Sequence, residues 1–396
     1  MENDKVLLTS SRYLPNIGGI ENSLYYLSEA FSELGFEVYV VASNILESGA
    51  VSLPACEVHK KNLKVLRYNY YLRGRPSALL NYINGFFEYK KLRKSGGFKI
   101  VVCRNHVTVL LCWLAGFRNI YYILPGTQKA QNDPGKYGAD LSKIKRLYRE
   151  MAYAYHQILQ MLAVRLSKRN YVFSCGLERQ VREFLGYKGP VFKVKPGVDS
   201  RKFSLASLTE KTTLRQSLEV SQTDVVLLGL GRFVEAKRFD ILIESLNFLP
   251  DRYKVVLVGA GALENKYDEI IKRNNLQARA RIFGATDCPQ DFYKLADVFV
   301  MTSTSETLGQ TILEAQCSGL PVVAFSPSVL GVDTATNEVV DSKTSVIVDC
   351  FSSEALARGI IEASENLSSG VFEAHEIRNH AVANFSWRVM AEELQK

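Results

Sequence analysis

The stretch Val298-Phe299-Val300-Met301-Thr302-Ser303-Thr304-Ser305-Glu306-Thr307-Leu308-Gly309-Gln310-Thr311-Ile312-Leu313-Glu314-Ala315 reads as an apolar strand, a polar turn and the start of a helix. Apolar spacing carries the helix over Leu308 to Cys317. Glu306 and Glu314 lie eight positions apart. A mostly helical backbone between them gives a rise of roughly 12 Å. That separation suits gripping the two sugars of a nucleotide-sugar, with its pyrophosphate between. Amides near Leu308, Gly309 and Gln310 then sit at a helix N-terminus, where an anion is favoured.

The same alternation continues in both directions. Upstream come Val225 to Leu230 (strand), Phe239 to Phe248 (helix), Tyr253 to Val258 (strand), Glu264 to Asn274 (helix), Arg281 to Phe283 (strand) and Gln290 to Ala296 (helix). Downstream is the strand Pro321 to Phe325. The first half repeats the pattern, with strands at Lys5 to Thr9, Phe36 to Val41, Lys99 to Cys103, Ile120 to Leu124 and Tyr171 to Ser174. A helix over Glu21 to Leu34 puts Leu24, Leu27, Ala30, Phe31 and Leu34 on one face. A second helix fills Leu141 to Ser167, and its apolar run Met151 to Val164 predicts burial. Lys195 to Ser221 lacks apolar periodicity and reads as the linker. Strands alternating with helices predict parallel sheets with helices on both faces. The fold class is α/β, with two Rossmann-like, doubly wound domains.

Two further segments carry chemistry. Gly229-Leu230-Gly231-Arg232-Phe233, followed by Lys237, ends a strand. Arg232 offers a planar fork and Lys237 a point charge, and both suit a diphosphate. A dinucleotide fingerprint fails here, because Val234 takes the third glycine position; Gly259-Ala260-Gly261 fails likewise at Glu264. Near the start, Gly18-Gly19 between strand and helix allows close backbone approach to an anion.

Composition bounds the rest. The 396 residues, 47% hydrophobic, suffice for two domains with full cores. Seven cysteines are scattered, with no C-x-x-C pair and no zinc spacing, as in a reducing compartment. Met1 to Lys5 lead directly into Val6-Leu7-Leu8, so no signal peptide is expected. The longest apolar run, Val107 to Phe117, is short of the roughly 20 residues a membrane span needs. These features predict a cytoplasmic protein.

Charge is unevenly shared. Residues 1–200 hold 29 Lys+Arg and 15 Asp+Glu, or +14; the remaining 20 and 26 give −6. Lys60, Lys61, Lys64, Arg67, Arg73 and Arg75 interleave with Leu63, Leu66, Tyr68, Tyr70, Tyr71 and Leu72. Phe86, Phe87 and Tyr89 precede Lys90, Lys91, Arg93, Lys94 and Lys99. Cations mixed with aromatics predict a peripheral contact with the anionic inner face of the cell membrane. No nucleic-acid motif accompanies the charge, so no nucleic-acid partner is expected.

Together these segments resemble the retaining glycosyltransferases of the GT-B fold, the family-4 type. The resemblance rests on Gly18-Gly19-Ile20-Glu21, Pro196-Gly197-Val198-Asp199, Gly231-Arg232 with Lys237, Val258-Gly259-Ala260-Gly261, Ala296-Asp297-Val298, the Glu306 to Glu314 segment and Gly319-Leu320-Pro321. It implies residues 1–198 as an acceptor-side domain and 199–378 as a donor-binding domain. Residues 379–396, around Phe385-Ser386-Trp387, then form a helix crossing back to the first. It implies transfer of a hexose-type sugar from a nucleoside-diphosphate sugar, in the cleft between the domains, to a glycan or lipid-linked acceptor. Arg232 and Lys237 hold the diphosphate, Glu306 the transferred sugar and Glu314 the ribose, while the Gly18-Gly19 loop closes over the phosphates. No D-x-D cluster is evident, so no metal or other cofactor is expected.

Some positions depart from the family pattern. Arg238 stands where glycine commonly follows the lysine, Lys195-Pro196-Gly197 lacks the common Pro-Asn-Gly, and Ser345 replaces a frequent glycine. Pro125-Gly126-Thr127 stands where many relatives carry a histidine, and His106 is the acceptor-side candidate in its place. Two alternatives stay open: a GT-B-like sugar-nucleotide epimerase, and a non-catalytic sugar-nucleotide-binding subunit of a polymer-synthesis complex.

Overall fold

The computed structural model describes residues 4–16, 18–46, 53–70, 75–132 and 143–396. The chain divides into two compact units, Met1–Gly197 with Trp387–Lys396, and Val198–Ser386.

The first unit is built on eight strands: β1 (Lys5–Thr9), β2 (Glu37–Ser43), β3 (Cys56–Lys60), β4 (Leu63–Tyr68), β5 (Phe98–Cys103), β6 (Ile120–Ile123), β7 (Arg169–Val172) and β8 (Val191–Lys193). Their order is β3-β4-β2-β1-β5-β6-β7-β8, parallel except for the edge strand β3. Burial on both faces explains the unbroken apolar runs of β1 and β5. Helix Gly19–Glu33 buries Leu24, Leu27, Ala30 and Phe31.

Two expectations fail here. Helix Lys143–Leu166 is not mostly buried: Met151, Ile158 and Leu162 are exposed, and only its last turns, with Ala163 and Val164, enter the core. An apolar run predicts burial only where other elements cover it, and this helix packs chiefly on helix His106–Leu114, which leaves Met151, Ile158 and Leu162 uncovered. Within the basic cluster at 60–75, Arg67 is not a surface cation. Arg67 is buried, donating to Glu57 Oε1 (3.1 Å) and the Leu14 carbonyl (2.7 Å). Lys60 pairs with Glu29, and Lys64 with Glu37 at 3.2 Å. Tyr71, Leu72, Arg73, residues 141 and 142, and the side chain of Arg75 lie outside the described residues.

Helix Trp387–Glu393 packs on helix Gly19–Glu33, with Trp387 stacked on Tyr26 at 5.9 Å between ring centroids. Gly197 makes that approach possible: a Cβ there would lie 2.3 Å from Trp387 Cγ and its backbone nitrogen. Gly197→Ala is therefore expected to cost about 1–3 kcal/mol by overpacking. Denaturant midpoints measure it, and an unchanged midpoint would mean Trp387 yields freely.

The second unit holds β9 (Val225–Leu230), β10 (Tyr253–Val258), β11 (Ala280–Phe283), β12 (Val298–Met301), β13 (Ser305–Glu306), β14 (Val322–Phe325), β15 (Asp333–Thr334) and β16 (Ser345–Val348). The parallel main sheet runs β11-β10-β9-β12-β14-β16, and β13 pairs with β15 in a separate ribbon. Counted within the unit, this is the order 3-2-1-4-5-6 of a doubly wound fold. The segment read as linker contains a helix, Leu208–Ser217, nucleated by the reciprocal capping box of Ser207 and Glu210. Its shortness and weak periodicity hid it; the cap was the legible signal. The helix expected over Phe239 to Phe248 is α-helical over Phe239–Ser245 and tightens to a 3₁₀ turn at Leu246–Phe248.

Candidate functional site in the second unit

In this strand order the direction of winding reverses between β9 and β12, and ligands bind at the carboxyl ends of such a pair. The expected donor-side residues lie on the segments that leave those two ends.

After β9 the chain turns at Gly231, whose φ of +151° lies in a region side chains rarely adopt. It then packs on the loop after β10, where Phe233 N–H donates to the Ala260 carbonyl (2.9 Å). A Cβ at Gly259 would stand 1.9 Å from the Gly231 carbonyl oxygen, and one at Gly261 2.5 Å from that of Phe233. The Gly259-Ala260-Gly261 run thus lets two loops touch, which explains glycines there without a dinucleotide fingerprint.

Lys237 ends a 3₁₀ turn over Glu235–Lys237. Its carbonyl accepts from Thr302 Oγ1 (2.7 Å), and the Ala236 carbonyl accepts from the Thr304 N–H (2.8 Å). These bonds stitch the segment after β9 to the one after β12. Arg238 follows at φ +48°, which is why a glycine suits this place. Its guanidinium holds Asp240 (3.0 Å) and lies 5.1 Å from the Phe351 ring centroid. Ser345 likewise has a local use, its hydroxyl donating to the Asp341 carbonyl.

Glu306 is fixed by the β13–β15 ribbon, its carbonyl accepting from the Ala335 N–H (3.0 Å). Lys237 Nζ donates to Glu306 Oε2 at 2.6 Å, joining residues 69 positions apart in a half-buried ion pair. The backbone between Glu306 and Glu314 is strand, turn and then helix Gln310–Cys317. The mostly helical path behind the roughly 12 Å rise is therefore corrected. Gly309 is the N-cap at φ +80° and brings no side chain to the start of the helix. Leu308 is half-buried beside it.

Glu314 stands apart from that ion pair. Its Oε2 accepts from the Tyr293 hydroxyl at 2.9 Å. Desolvation pushes its carboxyl up to about 7, against the lowering effects of the Tyr293 bond, Lys202 and Lys237. Burial, with Glu314 beside it, raises the Tyr293 phenol. Arg232 is exposed, and its guanidinium has no partner among the described residues. The expected donor-side set thus separates into a paired Lys237–Glu306, an uncharged-leaning Glu314–Tyr293, and an open Arg232. Tyr293 and Thr302 escaped the sequence reading, because nothing local in their own segments marks them.

In the first unit the winding reverses between β1 and β5. Gly18 is extended and Gly19 opens the helix; a Cβ on Gly19 would meet nothing within 4 Å. Ile17 lies outside the described residues. His106 begins helix His106–Leu114 at the end of β5, and its Nε2 sits 3.0 Å from Nδ1 of His156. Burial, then His156, pulls the His106 imidazole down to about 4. His156 was not foreseen, being 50 residues away on another helix. At Pro125-Gly126-Thr127, Gln160 donates to the Gly126 carbonyl (2.8 Å) and Thr127 to Gln180 (2.9 Å). Side-chain amides hold this turn.

Residues 210–379 match the family model of the glycosyl transferases group 1. That stretch belongs to the group 1 glycosyltransferases. Among relatives, the lipopolysaccharide core biosynthesis glycosyltransferase LpsE of Rhizobium meliloti is 32% identical over 146 residues, 37% of this chain and 41% of that protein. The alpha-monoglucosyldiacylglycerol synthase of Acholeplasma laidlawii is 21% identical over 346 residues, 81% and 79% of the two chains. The chain spans less than half the length of LpsE. Sucrose-phosphate synthase from Thermosynechococcus elongatus has the same fold, with TM-score 0.76, 18% identity and coverage of 99% and 97%. So does Anabaena HepE in complex with UDP-glucose, with TM-score 0.72, 17% identity and coverage of 99% and 98%. The fold of the chain is GT-B, α/β with parallel sheets.

Proposed function

We propose that the chain transfers a hexose-type sugar from a nucleoside-diphosphate sugar to a lipid-linked or cell-surface polysaccharide precursor, with retention of configuration and without a metal. The observation that carries this reading is the Lys237–Glu306 pair beside the Gly309-led start of helix Gln310–Cys317, at the winding reversal of the sheet in the stretch that matches the group 1 glycosyltransferases. The leaving nucleoside diphosphate gains negative charge as the glycosidic bond breaks. Lys237, Arg232 and the first-turn amides are suited to stabilise that charge where it develops. Glu306 takes hydroxyls of the transferred sugar, and Glu314 those of the ribose. With cations on the diphosphate, the acceptor attacks from the leaving-group face and the departing phosphate receives its proton. The names of LpsE and the monoglucosyldiacylglycerol synthase support an acceptor carried on lipid. A place on the inner face of the cell membrane follows from such an acceptor.

Thermal shift with UDP-, GDP- and ADP-sugars tests the donor, since a ligand of the native state raises the melting temperature with concentration. UDP-glucose leads that series, on the HepE complex. Transfer is expected to survive excess EDTA; activity that vanishes with EDTA and returns with Mg²⁺ or Mn²⁺ would refute metal independence.

A further inference from the structure

Arg104 follows β5 at the first unit's winding reversal, and its backbone N–H donates to the Thr9 carbonyl at the end of β1 (2.9 Å). Its side chain runs across the carboxyl ends of the next two strands. Nη1 donates to the Ile123 carbonyl at the end of β6 (3.2 Å). The guanidinium carbon lies 4.9 Å from the ring centroid of Phe173, the residue just past β7. Arg104 is only 4% exposed, yet its Nε has no hydrogen-bond partner among the described residues.

Three arginines are buried among the described residues. Arg67 is neutralised by Glu57 at 3.1 Å and Arg215 by Asp297 at 2.5 Å. Arg104 forms no ion pair among the described residues. Burial pulls its guanidinium down to about 10, against the raising effects of Tyr122 and of Glu21 in the first turn of helix Gly19–Glu33. An uncompensated buried charge is costly, and the Phe173 ring offsets only part of that cost. At the carboxyl ends of a doubly wound sheet, such a charge calls for a ligand that brings the counter-charge. The open edge states that ligand's shape. With Nη1 held by Ile123, the Nε–Nη2 edge remains, and it suits two oxygens of one phosphate or carboxylate.

We infer that Arg104 is the counter-charge for an oxyanion carried by the acceptor, a phosphate or a carboxylate, seated at the carboxyl ends of the first unit's sheet. The inference rests on the transferase reading and narrows its acceptor to an anionic one. It gives the first unit a specificity-determining residue two positions before His106, the acceptor-side candidate of the sequence.

The full chain is to be melted with glucose, glucuronate and glucose 6-phosphate at matched ionic strength. Glucuronate or glucose 6-phosphate should raise the melting temperature where glucose does not, and the stronger of the two assigns the oxyanion as carboxylate or phosphate. Arg104→Met should weaken that response about tenfold or more, the usual loss of a charge-assisted hydrogen bond. Without ligand it should melt no lower than the parent, because it removes an uncompensated charge and keeps much of the volume. Arg104→Lys keeps the charge but not the fork, so it should retain a weakened response. The site belongs to the first unit, so Lys237→Ala should keep the response. Arg104→Met should also answer UDP-glucose as the parent does. A parent indifferent to both anionic sugars overturns the inference, as does an Arg104→Met variant that answers them like the parent. If Lys237→Ala abolishes the response, or Arg104→Met loses the response to UDP-glucose, the oxyanion is the donor's diphosphate and the inference falls. A parent that answers UDP-glucose but neither anionic sugar condemns the acceptor inference alone. One that answers the anionic sugars but no nucleotide-sugar condemns the transferase reading instead.

Discussion

Lys237→Ala is expected to lower kcat by about 10²–10³, the usual loss when one preorganised group is removed from charge developing in a transition state. The effect should fall on kcat more than on donor KM, because the leaving diphosphate is most negative as the bond breaks. Glu306→Ala should also mainly lower turnover, through lost contacts to the sugar. The two residues form one ion pair, so their effects on folding should not add. Each single variant strands a half-buried charge, whereas Lys237→Ala with Glu306→Ala strands neither. Melting temperatures of the parent, both singles and the double give that coupling, and single-turnover rates give the kinetic part. If Lys237→Ala and Glu306→Ala both turn over within a few-fold of the parent, the site assignment is wrong.

Glu314→Gln should change how both stability and donor binding depend on pH. The Glu314 carboxyl is raised from the ordinary 4.5 to about 7 by desolvation. Between those values the folded chain keeps a proton that the unfolded chain has released, so stability falls as pH rises through this window and is level above it. The full loss is on the order of 3 kcal/mol. Glutamine mimics the protonated form and lacks this slope. The variant should therefore match the parent near pH 4 and melt above it near pH 8, roughly the two ends of the titration. Donor binding should run the other way. A ribose hydroxyl donates best to the ionised carboxylate, so affinity for a nucleotide-sugar should rise through about pH 7 in the parent. The variant should show a flat profile, weaker above that pH by about 1.5–3 kcal/mol. A nucleotide-sugar is the right probe, because its diphosphate does not titrate in this range. A parent profile flat from about pH 5 to about pH 9 would remove Glu314 from the binding site.

Much of the scaffold around these residues is legible in the sequence. The strands at Val225–Leu230, Tyr253–Val258 and Val298–Met301 announce themselves as short apolar runs that end in polar or glycine-rich turns. Their alternation with helices makes the sheets parallel, and a parallel doubly wound sheet puts its loops of interest at the strands' carboxyl ends. Glu306, Gly309 and Lys237 could be singled out because each lies within a few residues of such an end.

The partnerships could not be read that way. Lys237 meets Glu306 across 69 positions, Tyr293 meets Glu314 across 21, and His106 meets His156 across 50. Strand order alone brings those segments together, and no local pattern encodes it. The same holds for Gly259, whose need for glycine comes from a carbonyl 28 positions away. Burial was misjudged for a related reason. Arg67 looks like a surface cation until Glu57 and the Leu14 carbonyl enclose it, and Met151, Ile158 and Leu162 look like core until the fold leaves them exposed. The sequence by itself determined periodicity, turns and chemistry-bearing residue types, all set by neighbours within a few positions. Only the tertiary structure decided which charges are paired, which carboxyl is desolvated and which apolar face is left uncovered, because each depends on what distant chain is packed against it.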